Sequence, residues 1–222
     1  MSILTLTGHL GSMGDVGTLV AENLGYKLVG RELVAEAAQA LGWEAAQAQE
    51  FDERTGGLGG WLRSLFEHYS IHEAMATDLV AAYGMTYGDA AGAIGGTGER
   101  YIEALRQVMT TFADSGNVVL VGRGGQALFA DRPDATHVRV ACAVDERARR
   151  IARRDQVSED EARATVLESD KQREAWHSKY FNIDYRSPYH YHMVVNTGKL
   201  SDEFAAQLIT DLVRRGAAVA GS

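Results

Sequence analysis

Cysteine is almost missing: Cys142 stands alone, so no intrachain disulfide can brace the fold. It lies in the apolar run Val138 to Val144 and reads as a small buried hydrophobe in a strand. Proline is nearly as scarce, with Pro133 and Pro188 alone, both expected in loops. No stretch approaches the ~18 consecutive apolar residues that a membrane span requires. The start, MSILTLTGHLG, lacks the basic flank and long apolar core of a secretory signal, so the expected compartment is the cytoplasm. Basic residues are outnumbered, 22 Lys and Arg against 30 Asp and Glu, for a net charge of −8. That balance argues against a general binder of nucleic acid or anionic membrane, because phosphate backbones and acidic lipids select basic surfaces. A small anion held by a local basic cluster remains compatible with it.

What is present alternates between two periodicities. Ile3 to Thr7, Lys27 to Val29, Val118 to Val121, Thr136 to Val144 and His192 to Asn196 are short β-rich runs without clean polar alternation, as suits strands buried on both faces. Between them, Asp15 to Leu24, Arg31 to Leu41, Glu99 to Ala113, Asp145 to Arg154 and Asp202 to Arg214 carry helical stripes. Ser158 with Glu161 three residues on forms a capping box opening a further helix. Strand-helix alternation predicts right-handed crossovers and a parallel sheet, within one domain spanning residues 1–222. The core sheet is expected from 1–42 and 99–222. Residues 43–98 break the rhythm, first helical and then Gly/Ala-rich, and are expected to form an insertion over the ligand edge with a mobile loop near Gly88 to Gly98. An arginine-rich lid is expected over about 147–186.

The first run leads directly into Gly8-His9-Leu10-Gly11-Ser12-Met13-Gly14-Asp15 and then a helix. Strand, glycine-rich turn and helix is the geometry that cradles phosphate, with backbone N–H groups and a helix N-terminus turned toward the anion. The pattern G-x-x-x-x-G-K-[ST] is not met: Gly14 stands at the lysine position and Asp15 at the hydroxyl position. A purely structural turn, with Asp15 complementing the helix dipole, is the alternative.

Arginines follow at the carboxyl ends of strands, where ligands of open parallel sheets sit. Arg123 lies in Val121-Gly122-Arg123-Gly124-Gly125 and is placed to fork onto a phosphate or a base carbonyl. Arg31 follows Gly30 and could hold a monophosphate, or pair with Glu32. Arg147, Arg149, Arg150, Arg153 and Arg154 crowd one helix, either as a solvated face or as the cations of a closing lid. Asp170 and Arg173 share a helical face, which could orient Arg173 toward a substrate or be an ordinary surface pair.

Together these stretches resemble the cytidylate kinase-like family. TLTGHLGSMGDVGTLVAENLGYKLVGRELV is similar to its glycine-rich loop, helix and Asp-Arg-Glu-Leu segment, with Gly30 where the family's aspartate stands. NVVLVGRGGQALF resembles its strand and Gly-Arg-Gly turn, and the stretch from VACAVDERARR to FNIDY resembles its lid helices. VVNTGKLSDEFAAQLI resembles its last strand and helix. The resemblance implies a three-layer P-loop kinase-like fold with a central five-stranded parallel sheet. It also implies ATP-dependent phosphoryl transfer to CMP or dCMP with Mg²⁺. By resemblance Gly8, Gly11, Ser12, Met13, Gly14 and Asp15 would line the ATP phosphates. Arg31 and Arg123 would meet the nucleoside monophosphate, and Arg150, Arg153 and Arg173 would close over the transferring group, oriented by Asp170. The absent lysine leaves two further expectations open: a non-catalytic nucleotide- or anion-binding domain, or a kinase for another small phosphorylated metabolite. The expected partner is a small nucleotide, with homo-oligomerisation undecided.

Three remaining features read as packing. His190 and His192, with His177 upstream, suit aromatic packing beside the last strand better than a metal site. Trp61, Leu62, Leu65, Phe66 and Tyr69 form one apolar stripe, and Trp176, Tyr180 and Phe181 another.

Overall fold

Five short apolar runs form the strands of one parallel sheet: β1 (Ile3–Gly8), β2 (Lys27–Val29), β3 (Val118–Val121), β4 (Ala135–Ala141) and β5 (Met193–Asn196), in the order β2-β3-β1-β4-β5. The computed structural model describes residues 2–30, 32–42 and 97–216. Arg31, the expected insertion as far as residue 96 and its stripe of Trp61, Leu62, Leu65, Phe66 and Tyr69 lie outside the described residues. The chain divides into two compact units, Met1–Gly30 with Phe112–Ser222, and Arg31–Thr111. The whole sheet belongs to the first.

The helices are α1 (Val16–Leu24), α2 (Glu32–Leu41), α3 (Thr97–Ser115), a single turn α4 (Gly125–Leu128), α5 (Val144–Asp155), α6 (Glu159–Phe181) and α7 (Asp202–Arg214). Local chemistry sets their ends. The Ser158 hydroxyl accepts from the Glu161 amide and opens α6, and the Ser201 hydroxyl accepts from the Phe204 amide and opens α7. Each such cap contributes about 1 kcal/mol. On α5, Asp145 and Glu146 in the first turn and Arg153 and Arg154 in the last complement the helix dipole.

The two faces of the sheet differ in chemistry, since neighbouring residues along a strand point to opposite sides. Leu4, Leu6, Val119, Val138, Val140 and Val195 pack with Val16, Val20 and Ala21 of α1 and Ala205, Ala206, Ile209 and Val213 of α7. On the other face, polar pairs replace part of the hydrocarbon. Thr5 Oγ1 meets His137 Nδ1 at 2.8 Å, and Thr7 Oγ1 donates to Gln126 Oε1 of α4 at 2.8 Å. His137 Nε2 also meets the Phe129 carbonyl at 3.2 Å. Burial, with a smaller push from His192, lowers the His137 pKa to about 4 and keeps the ring neutral.

β4 ends at Ala141, three residues short of the expected Val144. Its last carbonyl accepts from the Thr197 amide at 2.9 Å, and the Cys142 carbonyl is taken by Arg147 Nε at 3.0 Å, so the ladder gives way to the turn into α5.

Candidate phosphate-binding site

The loop from Gly8 to Asp15 leaves the central strand at the sheet's carboxyl edge and is braced from within by Ser12. The fully buried Ser12 hydroxyl accepts from the His9 amide at 2.8 Å and lies 2.9 Å from the His9 carbonyl and 3.0 Å from the Val140 carbonyl. The Ser12 amide donates to the His9 carbonyl and its own carbonyl accepts from Thr197 Oγ1 at 2.7 Å. Every polar atom of Ser12 therefore serves the loop itself. The amides of Leu10, Gly11, Met13 and Gly14 enter no hydrogen bond among the described residues. Unpaired backbone donors in a turn that leads into a helix are what an anion requires.

Two arginines of α5 hold the outside of this loop. Arg147, only 3% exposed, donates from Nη1 to the Leu10 carbonyl at 3.3 Å and clamps Asp170 through two bonds of 2.9 and 2.6 Å. Arg150 donates from Nη1 to the Gly11 carbonyl at 3.4 Å and to Thr197 Oγ1 at 3.2 Å, and from Nη2 to the Thr197 carbonyl at 2.6 Å. Arg150 thus ties α5, the first loop and the segment after β5 together. Arg153 is 74% exposed, with its Nε on the Arg149 carbonyl one turn back, so it stands away from the loop.

Gly14 is fixed by a neighbour distant in sequence. The Asp15 amide donates to Asp202 Oδ2 of α7 at 2.9 Å. With φ of +49°, a Cβ at residue 14 would fall on the Asp202 carboxylate. The side chain missing from the lysine position is therefore matched by an acidic group on the same patch of backbone.

Arg123 follows β3 with φ of +56°, between Gly122 at +77° and Gly124 at +73°. A non-glycine residue held in the left-handed region costs roughly 1–2 kcal/mol, and such strain clusters at functional sites. Its side chain is buried, with Nη1 on the Val121 carbonyl at 3.3 Å. Gly124 has no room for a side chain, since a Cβ there would stand 2.5 Å from the Phe181 ring at the end of α6.

Asp170 and Arg173 do share the inner face of α6. Both Asp170 carboxylate oxygens are spent on Arg147, one of the five arginines that crowd α5. Arg173 is buried, and its carbonyl accepts from His177 Nδ1 at 2.9 Å. His177 stacks on Tyr185 at 4.6 Å between ring centroids and belongs to an aromatic cluster with Trp176 and Phe181. His192 Nδ1 accepts from the His137 amide at 3.0 Å. No group of three His, Cys, Asp or Glu residues arranged for a metal occurs among the described residues.

His9, inside the loop, was overlooked. It is 9% exposed and packs 5.5 Å from Tyr185. Burial, with Arg147, Arg139 and Arg173 adding to it against the opposing pull of Asp170, lowers its pKa to about 3, so the ring is neutral. Thr197, Asp202 and Tyr185 also escaped notice, because each reaches the site from a remote part of the chain. For Asp202 the available signal was an acidic residue just after the last β-α turn.

A parallel sheet in this order, with a glycine loop of open amides after its central strand, defines a P-loop kinase-like fold. Solved structures share it: an uncharacterized protein from Eubacterium ventriosum ATCC 27560 matches with a TM-score of 0.65 at 16% identity, over 96% of this chain and 99% of its own. Shikimate kinase from Bacteroides thetaiotaomicron matches with a TM-score of 0.51 at 15% identity, over 96% of this chain and 98% of its own. Within that class, the model of the cytidylate kinase-like family matches residues 3–199, and the chain belongs to this family. A cytidylate kinase of Sulfolobus acidocaldarius is 30% identical over 99 residues, 45% of this chain. The chain spans about half, 54%, of that curated relative.

Proposed function

We propose that the protein is an ATP-dependent phosphotransferase acting on a nucleoside monophosphate, with CMP or dCMP as the acceptor. The observation that carries this reading is the row of open amides at Leu10, Gly11, Met13 and Gly14, backed by Arg150 on the Gly11 carbonyl, in a member of a kinase family. Phosphoryl transfer asks the protein chiefly for positioning and for neutralisation of charge on the transferring oxygens. In this reading the loop amides bind the ATP phosphates and Arg150, bonded to the Gly11 carbonyl, is the cation beside them. Arg123 holds the acceptor, Arg173 meets the transferring group, and Asp170 acts at one remove by fixing Arg147 against the loop. The four open amides fit a polyphosphate. The Mg²⁺ that accompanies ATP would supply further charge neutralisation for the transferring group.

A second reading rests on Gly14 and Asp202. With no lysine in the loop and a carboxylate on the Asp15 amide, the domain would bind nucleotide without turning it over. Coupled ADP release with Mg²⁺-ATP and each of CMP, dCMP, UMP and AMP separates the two. Turnover strongest with CMP or dCMP is expected. ATP binding without turnover on any acceptor would select the second reading.

A further inference from the structure

Folded proteins rarely leave buried polar atoms unpaired, since each one costs about 1–3 kcal/mol. Beside the first loop two neighbouring side chains do so. Tyr185 is 1% exposed and His9 is 9% exposed, yet Tyr185 Oη and His9 Nδ1 have no hydrogen-bond partner among the described residues. Arg139 Nε, on β4, is a third such atom, although its Nη1 donates to the Arg186 carbonyl at 2.6 Å. The His9 and Tyr185 rings lie 5.5 Å apart, and both sense the charges of Arg139, Asp170 and Arg173. The one carboxylate among these neighbours, Asp170, is committed to Arg147.

The surroundings select the chemistry of the missing partner. The positive charges of Arg139 on β4 and Arg173 on α6 act on both rings, joined by Arg147 of α5 at His9 and by Arg186 at Tyr185. Burial raises the Tyr185 pKa to about 12, so the phenol keeps its proton and has an O–H to donate to an acceptor. A cation is repelled here and an apolar group leaves the donors unpaired. An oxyanion accepts from the phenol and from guanidinium together.

We propose that Tyr185 and His9, with Arg139, form a phosphoryl-contacting cluster beside the first loop, in which the Tyr185 hydroxyl donates to a phosphate oxygen of the bound ligand. It rests on the reading of the loop as a phosphate site and adds to it the contacts that stand in for the absent lysine. In the free protein the hydroxyl is stranded, and ligand binding recovers its cost.

Tyr185→Phe separates this role from a structural one, because the atom removed has no partner to lose. The free variant is expected to melt at the wild-type temperature or above it. Its affinities for AMP-PNP with Mg²⁺ and for inorganic phosphate, measured by calorimetry, are expected to fall about tenfold or more, as for a hydrogen bond to a charged group. His9→Asn, measured in the same way, is expected to weaken both ligands too. Wild-type affinity in Tyr185→Phe would overturn the proposal and would mark the hydroxyl as the seat of an ordinary buried water. Failure of the wild-type protein to bind either ligand would overturn it as well. ADP release by the wild-type protein judges the kinase reading separately. Turnover with unaltered Tyr185→Phe affinity sinks only this inference, and weakened phosphate binding without turnover sinks only the kinase assignment.

Discussion

Replacing Asp170 by asparagine strands a buried cation, and the cost follows from the contacts of Arg147. That guanidinium is 3% exposed and makes four hydrogen bonds, two to Asp170 and one each to the Cys142 and Leu10 carbonyls. Removing one partner of a buried ion pair costs roughly 3–5 kcal/mol, most of it the uncompensated charge left behind. Asp170 is 21% exposed, so water compensates in part and the low end, about 3 kcal/mol, applies. In a chain of this size each kcal/mol lowers the melting temperature by about 2–4 °C, so Asp170→Asn should lose roughly 6–12 °C in scanning calorimetry. The double variant Arg147→Met/Asp170→Leu removes both charges and should recover most of that loss, because apolar replacement of a buried pair is often near neutral. An Asp170→Asn protein melting within about 2 °C of wild type would refute the claim that this pair clamps α5 to α6 and the first loop.

Asp202→Asn removes a negative charge from the Asp15 amide. It should cost about 0.3–1 kcal/mol of stability through lost helix-dipole complementarity, yet tighten ATP several-fold in calorimetry; unchanged or weaker ATP binding would contradict this. Arg123→Ala should weaken CMP tenfold or more with unaltered circular dichroism, and CMP affinity within twofold of wild type would remove Arg123 from the site. His9 and His137 have pKa values lowered to about 3 and about 4 from 6.5, so the unfolded chain binds more protons than the folded one below pH 6.5. Their stabilising effect is complete above pH 6.5. It is lost as pH falls toward these values, at about 1.4 kcal/mol per pH unit for each ring. Urea unfolding from pH 7 to pH 4.5 should show this slope, and His9→Asn should roughly halve it; an unchanged slope would disprove burial of His9 in the neutral form.

The parallel sheet and its helices were legible because their signals are local. Val118 to Val121 reads as a strand from four consecutive apolar residues, and Ser158 with Glu161 reads as a helix start from one hydroxyl and its spacing. The one-turn helix Gly125–Leu128 was missed, since four residues are too few to show a period. At the site, legibility stopped where contacts became long-range. The run of arginines on α5 could not say that Arg147 turns inward to Asp170 while Arg153 turns to solvent. That distinction is made by helix phase against α6. Nothing local marks Asp202 as the partner of the Asp15 amide, 187 residues away, or joins His9 to Tyr185. Ser12 illustrates the opposite error, since a hydroxyl in a glycine-rich loop invites a ligand role while its atoms brace the loop.

The central claim is that the amides following β1 hold phosphoryl oxygens. Titrating ¹⁵N-labelled protein with the non-hydrolysable nucleotide AMP-PNP and Mg²⁺ reads those amides one by one. The account predicts that the largest shifts fall on Leu10, Gly11, Met13 and Gly14. Saturable nucleotide binding that leaves these four resonances in place would contradict it.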